Sequence, residues 1–286
     1  MRVDNFTASI HRLNHSHVDL LHALTVGVLW PHRRDDLELF LDLGHGYLAL
    51  DEIGRPIGSA MYFPMGADFA MLGMMVTVPR LQTLGTGRWL LSRIMAECGT
   101  RDLRLSATKQ AYHLYLSAGF QPVVTIRQQQ GIARAVSAAP PPAGTVVRRL
   151  EAADGNAVHA LDTHSYGADR RQSLDRFLGQ STGMVAERDG ATTGFALLRN
   201  FGRGLVIGPV VAEDATTAVA MMAPLIADCE GRFLRVDTPL GDEAFLGFLT
   251  AAGLAAYDTV TEMRLGPHRR ATAGAIMHVL AGHSFG

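Results

Sequence analysis

The part of this 286-residue chain best equipped for chemistry is Gln82-Thr83-Leu84-Gly85-Thr86-Gly87, a glycine-bearing loop between an apolar strand pattern and a helical one. Strand, glycine loop and helix together make a device for holding phosphate. Amides at a helix N-terminus lack an intrahelical acceptor, and the helix dipole favours an anion there. Gly85 and Gly87 carry no Cβ, so an anion can approach the backbone closely. The alternative is a glycine-rich turn that only caps a helix. A nucleotide P-loop fits poorly, because it needs Gly-Lys-Ser/Thr and Gly87 is followed by Arg88-Trp89. A dinucleotide fingerprint needs three glycines opening a parallel βαβ unit, whereas two are present here after an antiparallel meander. No metal site is expected, since His15 and His17 lack the i, i+4 spacing of a helical ligand pair and no matching Cys/His set follows.

The elements that must position this loop are legible on either side of it. A strand near 6–13 precedes helical patterns near 16–29 and 34–43. Strands at 46–52 and 56–64 flank the turn Glu52-Ile53-Gly54-Arg55-Pro56. A strand at 69–78 enters the loop, a helix at 86–98 leaves it, and a strand at 102–107, a helix at 109–118 and a strand at 120–128 complete the unit. Residues 133–144 include Pro140-Pro141-Pro142 and have no periodicity, as expected of a linker.

The second half echoes the first in order. Gly54 and Gly58 are matched by Gly190 and Gly194, and Met95-Ala96-Glu97-Cys98 by Ile226-Ala227-Asp228-Cys229. Leu103-Arg104-Leu105 is matched by Leu234-Arg235-Val236, and Ser117-Ala118-Gly119-Phe120 by Ala251-Ala252-Gly253-Leu254. Four echoes in one order predict a tandem duplication. The expected organisation is an N-terminal domain over 1–132, a linker over 133–144 and a C-terminal domain over 145–286. Ile276, Val279 and Leu280 suggest that the last segment is a helical tail. The fold class is α/β (α+β), with each domain a mixed, mostly antiparallel sheet flanked by helices.

Val76-Thr77-Val78-Pro79, Gln82-x-x-Gly85-x-Gly87 and Leu114-Tyr115-x-x-x-Gly119-Phe120 together resemble the GNAT superfamily of acyl-CoA N-acyltransferases. That family's loop consensus is Gln/Arg-x-x-Gly-x-Gly/Ala, and its last block has Leu-Tyr followed by Gly-Phe. The resemblance spans about residues 6–130. Trp30-Pro31-His32-Arg33, Gly58-Ser59-Ala60-Met61 and Ser106-Ala107-Thr108 further resemble bacterial tandem GNAT proteins with a YitH-like C-terminal domain.

The resemblance implies acetyl-CoA as acyl donor, an amine as acceptor, and direct attack on the thioester. Met75, Val76 and Thr77 would pair with the pantetheine arm. Gln82, Thr83, Leu84, Gly85, Thr86, Gly87 and Arg88 would form the pyrophosphate loop, and Thr108 would stand where many members have asparagine. Tyr115 falls on the family's general acid, which protonates the leaving thiolate; an ordinary phenol, with pKa near 10, suits that role. The other reading of Tyr115 is packing at a helix–sheet junction. His32, Asp35, Asp36 and Glu38 lie where members recognise the acceptor, or form a solvated charged turn. Asp237 and His164-Ser165-Tyr166 are further acceptor candidates from the second half.

Aligned by its helix ends, the second half has Thr216 and Ala218 at the places of Gly85 and Gly87, and counting back from Gly253 puts Leu249 at that of Tyr115. Glu213 and Asp214 add carboxylates where a pyrophosphate would sit, so one donor site is expected rather than two. A non-catalytic acyl-CoA sensor or binding module is the competing function.

The composition, 48% hydrophobic and 19% charged with a formal net charge of -1, is that of a globular protein. It gives no reason to expect a nucleic-acid or membrane partner. The two cysteines and the absence of a signal-like leader or long apolar run point to the cytoplasm, as a monomer or homodimer.

Overall fold

The computed structural model describes residues 2–3, 6–82, 84–137 and 140–286. A short ribbon of β1 (Arg2–Val3) and β2 (Phe6–Thr7) precedes the first half. That half runs β3 (Ser9–Arg12), α1 (Val18–Gly27), α2 (Arg34–Leu43), β4 (His45–Leu50), β5 (Pro56–Met65) and β6 (Phe69–Thr77). It continues with α3 (Thr86–Cys98), β7 (Asp102–Ala107), α4 (Tyr112–Ser117) and β8 (Gln121–Ile132).

The second half repeats the order as β9 (Thr145–Arg149), α5 (Gly155–Tyr166), α6 (Arg171–Leu178), β10 (Ser181–Arg188), β11 (Ala191–Phe201) and β12 (Gly204–Ala212). Then follow α7 (Ala215–Ala227), β13 (Phe233–Thr238), α8 (Glu243–Ala251) and β14 (Ala255–Leu265), with β15 (Ile276–Val279) appended. Within the segment read as a linker, Ala138 and Ala139 lie outside the described residues.

Among the described residues, all strands but the first ribbon join one thirteen-stranded sheet, ordered β3-β4-β5-β6-β7-β14-β8-β13-β12-β11-β10-β9, with β15 on β12. The order shows an exchange. The last strand of the second half, β14, lies between β7 and β8, and β8 in turn lies between β14 and β13. Each half therefore completes its sheet with the other's final strand. The chain boundary near residue 132 is not a boundary in space.

One face of this sheet carries α1, α2, α5 and α6 over a core common to both halves. Leu21, Phe40 and Phe63 pack there in one cluster with Tyr166, Phe177 and Phe285. On the other face α3 covers the first half through Leu90, Leu91 and Ile94, and α7 covers the second through Met221, Leu225 and Ile226. The amphipathic spacing of these helices accounts for the layering.

The end of the chain corrects the sequence reading. Ile276–Val279 is a strand, not a helix, paired antiparallel with β12 at Val210, Val211 and Ala212. A short apolar run satisfies either periodicity, and here the unpaired edge of β12 decides between them. Beyond β15 the chain enters the shared core, where the Phe285 ring lies 5.1 Å from Phe40, 4.9 Å from Phe63 and 5.1 Å from Phe177.

Interlocked sheets and a common core should unfold together. Urea denaturation followed by fluorescence and by circular dichroism should give one coincident transition, and two separable transitions would contradict the exchange. Phe285→Ala, which empties the centre of the shared core, should lower the unfolding free energy by about 3–5 kcal/mol.

Candidate functional site

The first half's site begins where two parallel strands part. β6 and β7 pair only from Phe69 opposite Asp102 to Leu72 opposite Leu105. On its other side β6 stays paired with β5 as far as Thr77 opposite Gly58. Among the described residues, Gly73 to Thr77 thus present a backbone edge with no strand on the β7 side.

A bulge sets the direction of that edge. The β5–β6 register shifts between Ser59 and Met61, and opposite the shift Met74 takes a positive φ of 50°. Such a conformation costs a non-glycine residue on the order of 1 kcal/mol. The buried Ser59 hydroxyl donates to the Met74 carbonyl at 2.8 Å and helps hold the bulge in place.

The glycine loop stands at the open end of this V. Gly85, at φ 89°, is the N-cap of α3 and supplies a left-handed turn that favours glycine; no side chain caps the helix. Among the described residues, none accepts from the amides of Gly85, Thr86, Gly87 or Arg88. A Cβ on Gly87 would lie 3.5 Å from Leu114 and 3.6 Å from the Thr77 hydroxyl, so the first turn of α3 rests between the end of β6 and α4.

The individual loop side chains differ in what they do. The Gln82 amide donates to the Thr77 carbonyl at 3.2 Å, tying the loop back to β6. Leu84 and Arg88 are exposed, and Thr86 is buried with its hydroxyl unpartnered among the described residues. Thr83 lies outside the described residues. Thr108, at the far wall of the V, accepts from the Ala111 amide at 3.4 Å and so begins α4.

Tyr115 on α4 belongs to the cluster that includes Leu72 and Leu105, the last pair before the strands part. Its ring is edge-on to Phe120 at 5.9 Å, and burial pushes its phenol well above the ordinary tyrosine range. Among the described residues, nothing hydrogen-bonds its hydroxyl. The cysteines are inert by comparison: burial raises the Cys98 thiol to about 12 and the Cys229 thiol to about 11.

The same construction in the second half is already filled. Arg104 faces Met71 across the first V, and Arg235 faces Val206 across the second. That register sets Gly73 against Gly208, and Met75-Val76-Thr77 against Val210-Val211-Ala212. These last three are the residues that pair with β15. Residues 78–85 separate β6 from α3, whereas only Glu213 and Asp214 separate β12 from α7. Asp214 caps α7, accepting from the Thr217 amide at 2.7 Å. α3 and α7 are both 13 residues long, so Asp214 and Thr216 take the places of Gly85 and Gly87; this corrects the alignment of Cys98 with Cys229, which put Thr216 and Ala218 there. Leu249 is a buried apolar residue of α8.

Of the acceptor candidates, His32, Asp36 and Asp237 gather at the junction of the halves. Asp36 is buried, and one of its oxygens accepts from the amides of Arg33 at 2.7 Å and Gly202 at 2.9 Å, which staples α2 to the β11–β12 turn. His32 packs edge-on to Trp30, Phe40 and Phe201. Burial first, then Arg235 and His283, lower its pKa to about 3, and its Nδ1 is enclosed without a partner among the described residues. Asp237 is fully buried against Arg235 at 2.8 Å, with His283 at 3.5 Å; burial opposes its ionisation, but the Arg235 guanidinium, with His283 beside it, holds its carboxyl well below the usual range. Glu38 lies apart, paired with Arg34 at 2.9 Å on the surface, and Asp35 is exposed. His164 contacts the Ala273 carbonyl at 3.3 Å, while Tyr166 is buried among Arg104, Arg170 and Arg270. Asp36 and Glu38 also line a surface cleft of about 470 Å³ with Arg33, Arg176, Asn200 and Phe201.

Sequence reasoning missed the Met74 bulge, the role of the Ser59 hydroxyl in holding it, and His283 beside Asp237. The Arg104/Arg235 echo was the one available signal that equivalent strands face the junction.

The neutral state of His32 has a measurable consequence. An unfolded histidine titrates near 6.5, so on acidification protons bind the unfolded chain first. The stability linked to His32 is complete above about pH 6.5 and is lost as pH falls toward about 3. His32→Phe keeps a ring in the cage and removes the protonation site. It should flatten the fall in urea midpoint between about pH 7.5 and about pH 4.5, and an unchanged fall would contradict this assignment.

Comparison with known proteins gives the same two-part division. The family model described as Acetyltransferase (GNAT) family matches residues 15–120, and that described as Acetyltransferase (GNAT) domain matches residues 158–277. An uncharacterized N-acetyltransferase, YitH, of Bacillus subtilis (strain 168) is 23% identical over 237 residues, 80% of this chain and 81% of its own. A crystal structure from Pyrococcus horikoshii superposes with a TM-score of 0.80 at 18% identity, covering 100% of this chain and 99% of that one. A tandem GNAT protein from the clavulanic acid biosynthesis pathway gives a TM-score of 0.64 at 15% identity, over 92% of this chain and 100% of that one. The structural likenesses speak for the fold.

Proposed function

We propose that this chain, which belongs to the GNAT acetyltransferases and carries two of their domains in tandem, transfers acetyl groups to an amine through its first half alone. The observation that carries this reading is the contrast between the two V-shaped openings. In the first, a free strand edge meets an uncapped helix N-terminus; in the second, the chain's own strand and a carboxylate occupy the equivalent places.

The first opening fits the family's donor, acetyl-CoA, in the chemistry of its groups. The amides of Gly85 to Arg88 would hold the pyrophosphate, and the edge of Met75, Val76 and Thr77 would pair with the amides of the pantetheine arm. Acetyl-CoA supplies the activated acyl group. Tyr115, kept protonated by burial, donates its proton to the departing sulfur as the carbon–nitrogen bond forms and the carbon–sulfur bond breaks. The proton lost by the amine restores the phenol through solvent, so the charges balance. Positioning carries most of the work in such a site. The junction around His32, Asp36 and Asp237 is assigned to the acceptor side, with His32 and Asp36 shaping the wall by contacts within the protein.

Isothermal titration should detect one CoA equivalent per chain. Gly87→Asp, which introduces a carboxylate at the uncapped turn, should weaken CoA at least about tenfold. Thiol release in the presence of an amine panel tests transfer. Tyr115→Phe should lower kcat about a hundredfold with CoA affinity held within about twofold. Absence of CoA binding would overturn the reading, and binding without thiol release from any amine would favour an acyl-CoA sensor.

A further inference from the structure

We infer that Ser284, brought from the second half on the segment after β15, bounds the acyl end of the first half's opening and selects for a two-carbon acyl group. The inference rests on the reading that this opening holds acyl-CoA.

The filled opening shows the course a chain takes in such a V. β15 starts with Ile276 beside Ala212, near the start of α7, and runs to Val279 beside Val210. The backbone then passes over Gly208: a Cβ built there would lie 2.0 Å from the Leu280 carbonyl oxygen and 3.5 Å from the Ala281 Cα. The Leu280 amide still donates to the Asp237 carbonyl at 2.8 Å, so the strand remains between both walls until it leaves. An extended occupant thus enters at the helix, pairs with three residues, and exits over the glycine at the fork.

Gly73 is the equivalent glycine of the first half, so the acyl end of an extended donor would emerge above it. Two side chains limit that space. A Cβ built on Gly73 would meet the Ser284 Oγ at 2.8 Å, the Ser284 Cβ at 2.9 Å and the Phe63 Cε2 at 3.0 Å. Phe63 is fully buried, whereas Ser284 is half-buried, and no described residue hydrogen-bonds its hydroxyl. An unpartnered hydroxyl at the exit of the arm is a contact held ready for a ligand.

Ser284 is also rigidly held. Its neighbour Phe285 lies among three phenylalanine rings, and the Phe285 carbonyl accepts from the buried Arg170 at 2.9 Å. On the other side, the Arg199 guanidinium donates to the Ala281 carbonyl. A wall fixed at both ends discriminates by size, because the ligand cannot push it aside. Each methylene a pocket excludes is worth about tenfold or more in selectivity.

The test is calorimetric titration of the full chain with free CoA, acetyl-CoA and butyryl-CoA. The wild-type chain should bind acetyl-CoA at least about tenfold more tightly than butyryl-CoA. Ser284→Gly should bring the two within about threefold while leaving free CoA unchanged. Ser284→Thr, which adds a methyl group beside Gly73, should weaken acetyl-CoA about tenfold, again with free CoA unchanged. It provides the reading if the glycine variant fails to fold. A wild-type chain indifferent to acyl length, a Ser284→Gly chain that keeps the acetyl-to-butyryl ratio while binding free CoA normally, or a Ser284→Thr chain that binds acetyl-CoA as tightly as the wild type, would overturn the assignment of Ser284. Failure of the wild-type chain to bind free CoA would instead overturn the acyl-CoA reading, and this inference with it.

Discussion

A β-strand edge in a protein interior must find partners for its amides and carbonyls, and the architecture follows from how that requirement is met at two forks. Parallel strands that separate after a few pairs leave one such edge each. β6 and β7 part beyond Leu72 and Leu105, and β12 and β13 part beyond Ile207 and Val236. In the second fork the chain satisfies the edge itself, with β15 against Val210, Val211 and Ala212. In the first, Gly73 to Thr77 remain open to another molecule, held in that state by the Met74 bulge and the Ser59 hydroxyl beneath it.

The reciprocal placing of β8 and β14 keeps the two forks in a fixed relation. Because β14 pairs with β7 and β8 pairs with β13, neither half can shift without breaking the ladder at the centre of the sheet. The junction then tolerates buried charge that would be costly in isolation. Arg235 and Asp237 neutralise one another, and Asp36 accepts two backbone amides from opposite halves. Polar satisfaction here specifies how the halves fit, while the phenylalanine cluster around Phe285 supplies the apolar contact that holds them.

Much of this was legible in the sequence because it is local. The loop from Gln82 to Gly87, the strand before it and the helix after it announce themselves by spacing and glycine content, and the tandem repeat by echoes such as Arg104 and Arg235. What escaped is nonlocal. Periodicity indicates that 120–128 is extended but not that the strand Gln121–Ile132 pairs with two strands of the other half. Ile276 to Val279 fit a helix as well as a strand until the vacant edge of β12 is known. Taking Cys229 as the counterpart of Cys98 misplaced Thr216 and Ala218, because Cys98 closes α3 whereas Cys229 lies beyond the end of α7 at Ala227. Asp36 looked like a residue of a charged lip because its partner amide at Gly202 is 166 residues away.

β15 also settles what a duplicated fold can do with a redundant cleft. It is joined to β14 by the short segment 266–275, so its effective concentration at the second fork is on the order of millimolar or higher. A free ligand must exceed that concentration, multiplied by its own disadvantage in affinity, before it can displace the strand. The second fork is therefore closed by an occupant held at high local concentration and encoded in the chain that it occupies.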